Sequence, residues 1–287
     1  MPAFQHILFP VDFSGSCRNV RPFVESIAQR FHSKVTLMHV VQIPAALYGG
    51  MDGGYPVMFD VPEMEESAKT GLDGFLEPSK RVADKIIKLG DPAMEITDFA
   101  EQNQVDLIMM PTHGYGKFRS LLLGSVTAKV LHDAICPVWT ATHTEDPELP
   151  KHFECKSIMG AIDVAPASAV LIRRYVEIAH EFNATLRLVQ AVPAANTDIH
   201  YGMDQDLRTF LIQSARDEIA RVQGEAGTNL EVYVEGGPIS KIVRAAAQQH
   251  NADLVLMGRG TIQETFGQLR TNAYAIIRDA PCPVLSV

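Results

Sequence analysis

The sequence predicts an α/β fold made of two tandem copies of an open, five-stranded parallel sheet with helices on both faces. Three observations predict it. Strand-like and helix-like segments alternate along the chain. Short segments of the first half return in the same order in the second half. Some strand-like runs, such as Leu107 to Met110, are apolar throughout, as strands covered on both faces are.

The internal repeat sets the domain organisation. Five segments recur in the same order: 6–12 as 157–163, 35–41 as 185–192, 90–92 as 236–238, 106–108 as 253–255, and 133–138 as 279–284. Five ordered matches make chance similarity a poor explanation. The stretch between the copies is polar and contains proline, which is typical of a linker. We therefore predict one domain over 1–142, a linker over 143–156 and a second domain over 157–287.

The elements of the first copy follow from apolar runs and from helix-capping residues. Strands are predicted near 5–11, 34–41, 82–89, 105–110 and 137–141, and helices near 16–32, 62–78, 91–103 and 124–134. Ser14 or Ser16 can cap the first helix, and Asp91 before Pro92 is a suitable start for the third. In such a sheet, ligands bind beyond the carboxyl ends of the strands.

The stretch from Asp106 to Ser125 combines a buried strand, a loop and the start of a helix. Gly114 lets the backbone approach a ligand closely. Gly124 and Ser125 are expected to offer free N–H groups at a helix N-terminus, where an anion is favoured. The loop therefore predicts a phosphate cradle, although no Gly-Lys-Ser/Thr of a P-loop follows.

Composition and charge exclude several classes of protein. With 46% apolar and 21% charged residues the chain is an ordinary globular protein, and its net charge of −9 without a basic run disfavours nucleic acid. The apolar runs are too short to span a membrane, and the first residues lack the features of a signal peptide, so we expect a soluble, cytoplasmic protein. The four cysteines form no CxxC pair and no zinc spacing; we expect reduced, mostly buried thiols and no metal site.

These segments resemble those of tandem universal stress proteins over nearly the whole chain. Ile7 to Ser14 (ILFPVDFS) is similar to the family's first-strand signature, and His39-Val40 to the end of its second strand. The family's nucleotide motif is Gly-x2-Gly-x9-Gly-Ser/Thr. Gly114 and Gly124-Ser125 match its last two elements, whereas Pro111 stands at its first glycine. Because members with the full motif tend to bind ATP, the resemblance implies a Rossmann-like fold and an ATP site with one altered element.

The resemblance also implies which residues form this site. Pro10, Val11 and Asp12 would contact adenine and ribose, and the backbone of Val40 would pair with the adenine edge. Six further positions would hold the ribose and the phosphates. They are Thr112, His113 and Gly114 under the ribose and first phosphate, and Gly124, Ser125 and Val126 at the outer phosphates.

The second copy departs further from the motif. Gly260 matches Gly114, but Arg270 replaces the second glycine while Thr271 keeps the hydroxyl. Gly258 is a candidate for the first glycine, and Asp163 stands where Asp12 does. An arginine side chain crowds a backbone that must approach phosphate, so we predict that the second copy does not bind ATP in the family's manner.

Several candidate residues also have purely structural interpretations. Asp12 can brace the first helix, His39 is expected to be a hydrogen-bonded core histidine without a catalytic role, and His113 is expected to shape its loop. Lys117 and Arg119 can reach phosphates or face solvent. The Gly-rich loop around 51–58 is either a lid, a partner contact or a plain surface loop.

Three functions remain open at this level. The favoured one is a stress-response protein in which ATP, with Mg²⁺ where a triphosphate brings it, acts as a ligand and switch. The second is a slow ATPase, although no pair of residues has the features of a general base beside a positioned water. The third is a scaffold that binds no nucleotide, for which Pro111 is the best argument. The sequence does not distinguish ATP from AMP or another adenine nucleotide.

The duplication also predicts pairing within one chain. Family members with one domain commonly dimerise through their last strands. Here 137–141 and 283–287 are expected to pair, forming an intrachain pseudo-two-fold unit and covering two sheet edges. A homo-oligomer could be built on that unit, and the protein partners are unknown.

Overall fold

The structure is a computed structural model that describes residues 4–42, 61–76, 82–114, 123–141, 152–165, 167–192, 205–259 and 268–287. The chain forms two compact units. The first comprises Met1–Val138 and Glu145–Phe153, and the second comprises Trp139–Thr144 and Glu154–Val287.

The first unit alternates strands and helices as predicted. Its elements are β1 (His6–Pro10), α1 (Gly15–Phe31), β2 (Lys34–Val41), α2 (Val61–Asp73), β3 (Val82–Leu89), α3 (Pro92–Gln102), β4 (Leu107–Met110), α4 (Ser125–Asp133) and β5 (Val138–Thr140). The strand order is β3-β2-β1-β4-β5, and β1 pairs in parallel with both β2 and β4. β2 also pairs in parallel with β3. Helix α2 ends at Asp73, earlier than the predicted 78, and Gly74 follows it.

The second unit repeats this arrangement. Its elements are β6 (Ser157–Ala161), α5 (Ser168–Phe182), β7 (Thr185–Val192), α6 (Gln205–Ala226), β8 (Val232–Gly236), α7 (Ile239–Gln249), β9 (Leu254–Met257), α8 (Gln268–Asp279) and β10 (Val284–Ser286). The strand order is β8-β7-β6-β9-β10, with parallel pairing throughout. The predicted α/β fold with two tandem domains is therefore confirmed.

Capping residues define helix ends at both edges of the first sheet: helix starts where the strands end, and a helix end where the strands begin. Ser14 caps α1, because its Oγ accepts a hydrogen bond from Cys17 N at 3.0 Å. Asp91 caps α3 by accepting from the N–H groups of Ala93 and Met94, as the sequence predicted. Helix α1 ends at a left-handed residue, His32, with φ of 57°.

Matching hydrogen bonds define equivalent positions in the two units. Val11 N donates to Met38 O, and Ile162 N donates to Val189 O. The structural equivalent of Gly90, the glycine after β3, is not the residue that the sequence alignment pairs with it. Gly90 donates to Val41 O with φ of 151°, and Gly237, not Gly236, makes the equivalent bond to Val192 O with φ of 147°.

This one-residue shift changes the start of α7. Pro238 occupies the N-cap position that Asp91 holds before α3, and α7 has no side-chain cap. The prediction that 90–92 matches 236–238 residue by residue is therefore wrong. A proline side chain has no acceptor for the first helical N–H groups, so the two turns share backbone geometry but not the cap.

The strand order of the first unit reverses next to β1. From β1 the chain proceeds to β2 and β3 on one side, and it later returns to form β4 on the other side. The residues after Pro10 and after Met110 therefore lie at a topological switch point, where open α/β sheets bind ligands.

Some predictions concern residues outside the described part of the chain. They are those on the loop around 51–58, on Lys117 and Arg119, and on Gly260. Within the described ranges, no helix combines the length and the apolar character that crossing a bilayer demands.

Candidate functional site

The predicted site residues lie at the carboxyl ends of three strands and at the start of one helix. Pro10 ends β1, and Val11 and Asp12 follow it; Val40 lies near the end of β2; Thr112, His113 and Gly114 follow β4; Gly124 is the N-cap of α4, and Ser125 and Val126 begin that helix. Within this set the structure brings Gly114 to Asp12 and Gly124 to Thr112 and His113.

The two carboxylate oxygens of Asp12 face different parts of the switch point. Oδ1 accepts a hydrogen bond from Ser14 N at 2.9 Å, so the carboxylate does brace the start of α1. Oδ2 faces Gly114, where an added Cβ atom would overlap it and would lie 3.5 Å from Asp12 Cγ. Only glycine therefore fits opposite this carboxylate without displacing it.

The loop after β4 is fastened to the first turn of α4. Gly124 N donates to Thr112 O at 2.8 Å, and Thr127 Oγ1 donates to Pro111 O at 3.0 Å. A Cβ atom at Gly124 would lie 3.2 Å from His113 Cα, so the two segments almost touch. The prediction that Gly124 offers a free N–H group is wrong, because that group already bonds the Thr112 carbonyl.

Ser125 and Val126 carry the open donors of this helix start. The first N–H groups of a helix have no acceptor within it, and α4 has no side-chain cap at Gly124. Among the described residues, no acceptor lies against the N–H groups of Ser125 or Val126. The helix dipole adds partial positive charge there, which favours an anion.

His113 links the cradle to α1. Its Nε2 lies 3.2 Å from Ser16 Oγ, and its Nδ1 lies 3.1 Å from Thr112 Oγ1. Both ring nitrogens are engaged, so the ring holds the loop after β4 against the start of the first helix. Ser14, and not Ser16, caps α1, because the helix begins at Gly15 and Ser16 lies inside it.

A cleft of about 900 Å³ opens beside the end of β2. Its walls come from the residue after Asp12, from the end of β2 and from α2: Phe13, His39, Val40, Val41, Gln42, Glu63, Met64, Ser67, Ala68 and Gly71. Val40, the predicted partner of adenine, is part of this lining.

Phe13 and Gly71 are the residues that sequence reasoning missed. Phe13 adopts a left-handed backbone with φ of 63°, which costs a non-glycine residue conformational energy. Its ring fits because Gly71 has no side chain: a Cβ atom there would lie 2.8 Å from the Phe13 ring. Neither feature follows a periodic pattern, so the sequence held no signal for the pair beyond the apolar residue after Asp12.

Burial keeps the neighbouring thiol protonated. Burial raises the pKa of Cys17 strongly, and the nearby Asp12 carboxylate adds to the effect. Cys17 Sγ donates to Pro10 O instead. All four cysteines are free and buried, as predicted. Across the described ranges, no group of three or more His, Cys, Asp and Glu side chains is arranged to hold a metal ion.

The second unit lacks this arrangement in several details. Asp163 is exposed, and Ser168 Oγ donates to its carbonyl. Gln190 takes the place of His39, as the register of β6 and β7 shows. A Cβ atom at Gly258 would lie 2.8 Å from Leu171 Cδ2, so a leucine side chain fills the space at that glycine.

The start of α8 also differs from that of α4. Arg270 lies inside α8, whereas Gly124 lies just before α4. The first N–H groups of α8 thus belong to earlier residues than the sequence alignment with Gly124-Ser125 predicts. The side chains of Arg270 and Thr271 lie outside the described part of the structure.

Comparisons with known proteins agree with the duplicated fold. The universal stress protein family matches twice, over residues 3–141 and 154–287. Two universal stress proteins of Methanocaldococcus jannaschii are 28% and 29% identical over 137 and 150 residues. Each match covers 47% of this chain, and the two cover 80% and 93% of the relatives.

Solved structures share the whole fold. A universal stress protein from Archaeoglobus fulgidus has a TM-score of 0.68 at 22% identity, with 100% of this chain and 97% of that chain covered. A functionally unknown protein from Pseudomonas aeruginosa PAO1 has a TM-score of 0.62 at 18% identity, covering 100% and 93%. At these identities the likeness concerns the fold alone.

Proposed function

The chain belongs to the universal stress protein family, and on that premise we propose that its first domain binds an adenine nucleotide, ATP, as a ligand-controlled switch. We take 1–142 and 157–287 as the two domains and 143–156 as the linker. The second domain keeps the fold and binds no ATP in this manner.

The observation that carries the proposal is the meeting of Asp12 with Gly114 beside the uncapped start of α4. A carboxylate can accept hydrogen bonds from the two hydroxyl groups of a ribose. The backbone at Gly114 is close enough to share a ligand with it. The N–H groups of Ser125 and Val126 are donors for phosphate oxygens, and the Ser125 hydroxyl adds another.

The remaining predicted residues take parts that fit their positions. Pro10 and Val11 form the strand end under the sugar and base, and Val40 borders the cleft that would take the base. Thr112 and His113 hold the loop under the ribose and first phosphate. Gly124 shapes the cradle through its lack of a side chain, since its N–H group is engaged.

Pro111 does not remove the phosphate donors of this site. A proline has no N–H group to give, but the carbonyl of Pro111 receives the Thr127 hydroxyl and so anchors α4. The altered element of the motif therefore supports the helix start that meets the phosphates. A triphosphate would bring Mg²⁺ held by its own oxygens and by water.

Bound nucleotide would act as a switch by adding contacts between segments that already meet through a few hydrogen bonds. The ligand would connect β1, the loop after β4 and α4, and its occupancy would bias surfaces recognised by protein partners. The cytoplasm, where thiols stay reduced, suits the four free cysteines.

Calorimetric titration with ATP and Mg²⁺ tests the proposal. The Asp12→Asn variant keeps an oxygen for Ser14 N but loses the charge, so we expect the affinity to fall by at least about tenfold. Asp163→Asn is the matched control in the second domain and should leave the affinity unchanged. Absence of ATP binding by the wild type, or equal losses in both variants, would contradict the proposal.

A further inference from the structure

His39 presents an unused acceptor beside the cleft of the first domain. Its Nδ1 lies 2.7 Å from Val11 O. A carbonyl oxygen only accepts hydrogen bonds, so Nδ1 carries the hydrogen. In the neutral ring Nε2 is then an acceptor. Among the described residues no donor lies against Nε2, and the half-buried ring lines the cleft.

The rings of Phe13 and His39 pack against each other beside the cleft. Their ring centroids are 4.6 Å apart and the planes are inclined by 34°. Phe75 makes an edge-to-face contact with Phe13, with ring centroids 6.0 Å apart. The left-handed backbone of Phe13 and the missing side chain of Gly71 allow this placement. The strain is consistent with a surface kept for a ligand.

The α2 side of the cleft combines apolar residues with one carboxylate, that of Glu63. Met64 and Ala68 of α2 line it, and Ala68 is buried. The described lining contains no lysine or arginine, so these residues offer no cation to a phosphate. Its chemistry suits a flat, neutral ring that stacks on aromatic side chains and carries a hydrogen-bond donor at one edge.

We propose that His39 is a specificity-determining residue for the nucleobase: Nε2 accepts a hydrogen bond from the 6-amino group of an adenine that stacks against Phe13. The inference rests on the proposed ATP site and names the residue that selects its base. A purine without the 6-amino group leaves Nε2 unpaired, which is the arrangement that discriminates most strongly between related ligands.

Two variants test the two ring nitrogens of His39 separately. In His39→Asn the amide nitrogen occupies the place of Nδ1 and can still donate to Val11 O, but nothing replaces Nε2. In His39→Gln the longer amide reaches the place of Nε2 with an acceptor oxygen. The second domain already carries Gln190 at the equivalent strand position, so glutamine is compatible with this backbone.

The experiment compares ATP with purine riboside 5′-triphosphate, which lacks only the 6-amino group, by calorimetry on the full chain. We expect the wild type and His39→Gln to prefer ATP by about tenfold and His39→Asn to bind both within about twofold. Circular dichroism and thermal unfolding check that each variant folds.

The outcomes separate this inference from the proposed function. If the wild type binds neither nucleotide, the ATP site itself is wrong. If the wild type prefers ATP and folded His39→Asn keeps the full preference, the site stands and the role of His39 is overturned. Equal binding of both nucleotides by the wild type also overturns it.

Discussion

Asp12 and Gly114 approach each other across the switch point so closely that position 114 has no room for a side chain. An added Cβ atom would overlap Asp12 Oδ2, while the other carboxylate oxygen is held by Ser14 N. The carboxylate, the loop after β4 and the start of α1 are therefore positioned together.

Gly114→Ala should weaken ATP binding strongly while the protein stays folded. The new methyl group forces the Asp12 carboxylate away from the ribose position, and we expect the affinity to fall by at least about tenfold. Calorimetry measures the loss. Gly15→Ala is the control, because a Cβ atom at Gly15 meets nothing within 4 Å. A Gly114→Ala protein that binds ATP as tightly as the wild type would refute the proposed geometry.

Thr127→Val should destabilise the first domain through Pro111. The buried hydroxyl donates to Pro111 O, and its loss leaves a buried carbonyl without that donor. We expect the free energy of unfolding to fall by about 1–2 kcal/mol in denaturant titrations. Thr70→Val removes a comparable bond on an exposed helix face and should cost less than about 0.5 kcal/mol. Equal losses of unfolding free energy in the two variants would show that the bond to Pro111 O contributes no more to stability than the exposed bond of Thr70.

His6 should make stability fall in mild acid. Its pKa is lowered from 6.5, first by burial and second by the charge of Lys34. The unfolded chain therefore takes up this proton at a higher pH than the folded protein, and stability is lost as the pH falls below 6.5. The contribution is at most about 1.4 kcal/mol per pH unit.

Urea titrations at about pH 7.5 and about pH 5.5 test this pH dependence. His6→Gln cannot titrate, so its free energy of unfolding should fall less between the two pH values than that of the wild type. His180→Gln, at an exposed histidine, is the control and should behave like the wild type. A fall in His6→Gln as large as in the wild type would remove His6 as the cause.

Gly160→Ala should overpack the second domain. A Cβ atom there would lie 2.7 Å from Tyr175 Cδ2, and Tyr175 cannot move easily because it is fully buried and its hydroxyl donates to Ala161 O at 2.8 Å. We expect a loss of about 1–3 kcal/mol in the free energy of unfolding. Gly224→Ala, within α6 and with open space at its Cβ position, should be neutral or slightly stabilising. Destabilisation by both would indicate a general intolerance of alanine.

The sequence was sufficient for the architecture because the architecture depends on repeating patterns. The buried run Leu107–Met110 and the cap at Asp91 each have local causes that the sequence displays. The family motif predicts Asp12, Gly114 and Ser125 as site residues, and the structure places all three at one sheet edge.

Other features depend on contacts between residues far apart in the chain. The engaged N–H group of Gly124, the fit of Phe13 against Gly71 and the Nδ1 bond of His39 each need the folded backbone. The one-residue shift at Gly237 is similar, since only the bond to Val192 O identifies the equivalent glycine. Periodicity and motif spacing carry no information about such contacts.

Mass spectrometry of the small molecules released from freshly purified protein, quantified per chain, tests the central claim most directly. We expect about one adenine nucleotide per chain, lost in Gly114→Ala. About two per chain would contradict the assignment of the second domain. No nucleotide, together with no ATP binding in calorimetry, would contradict the nucleotide site altogether.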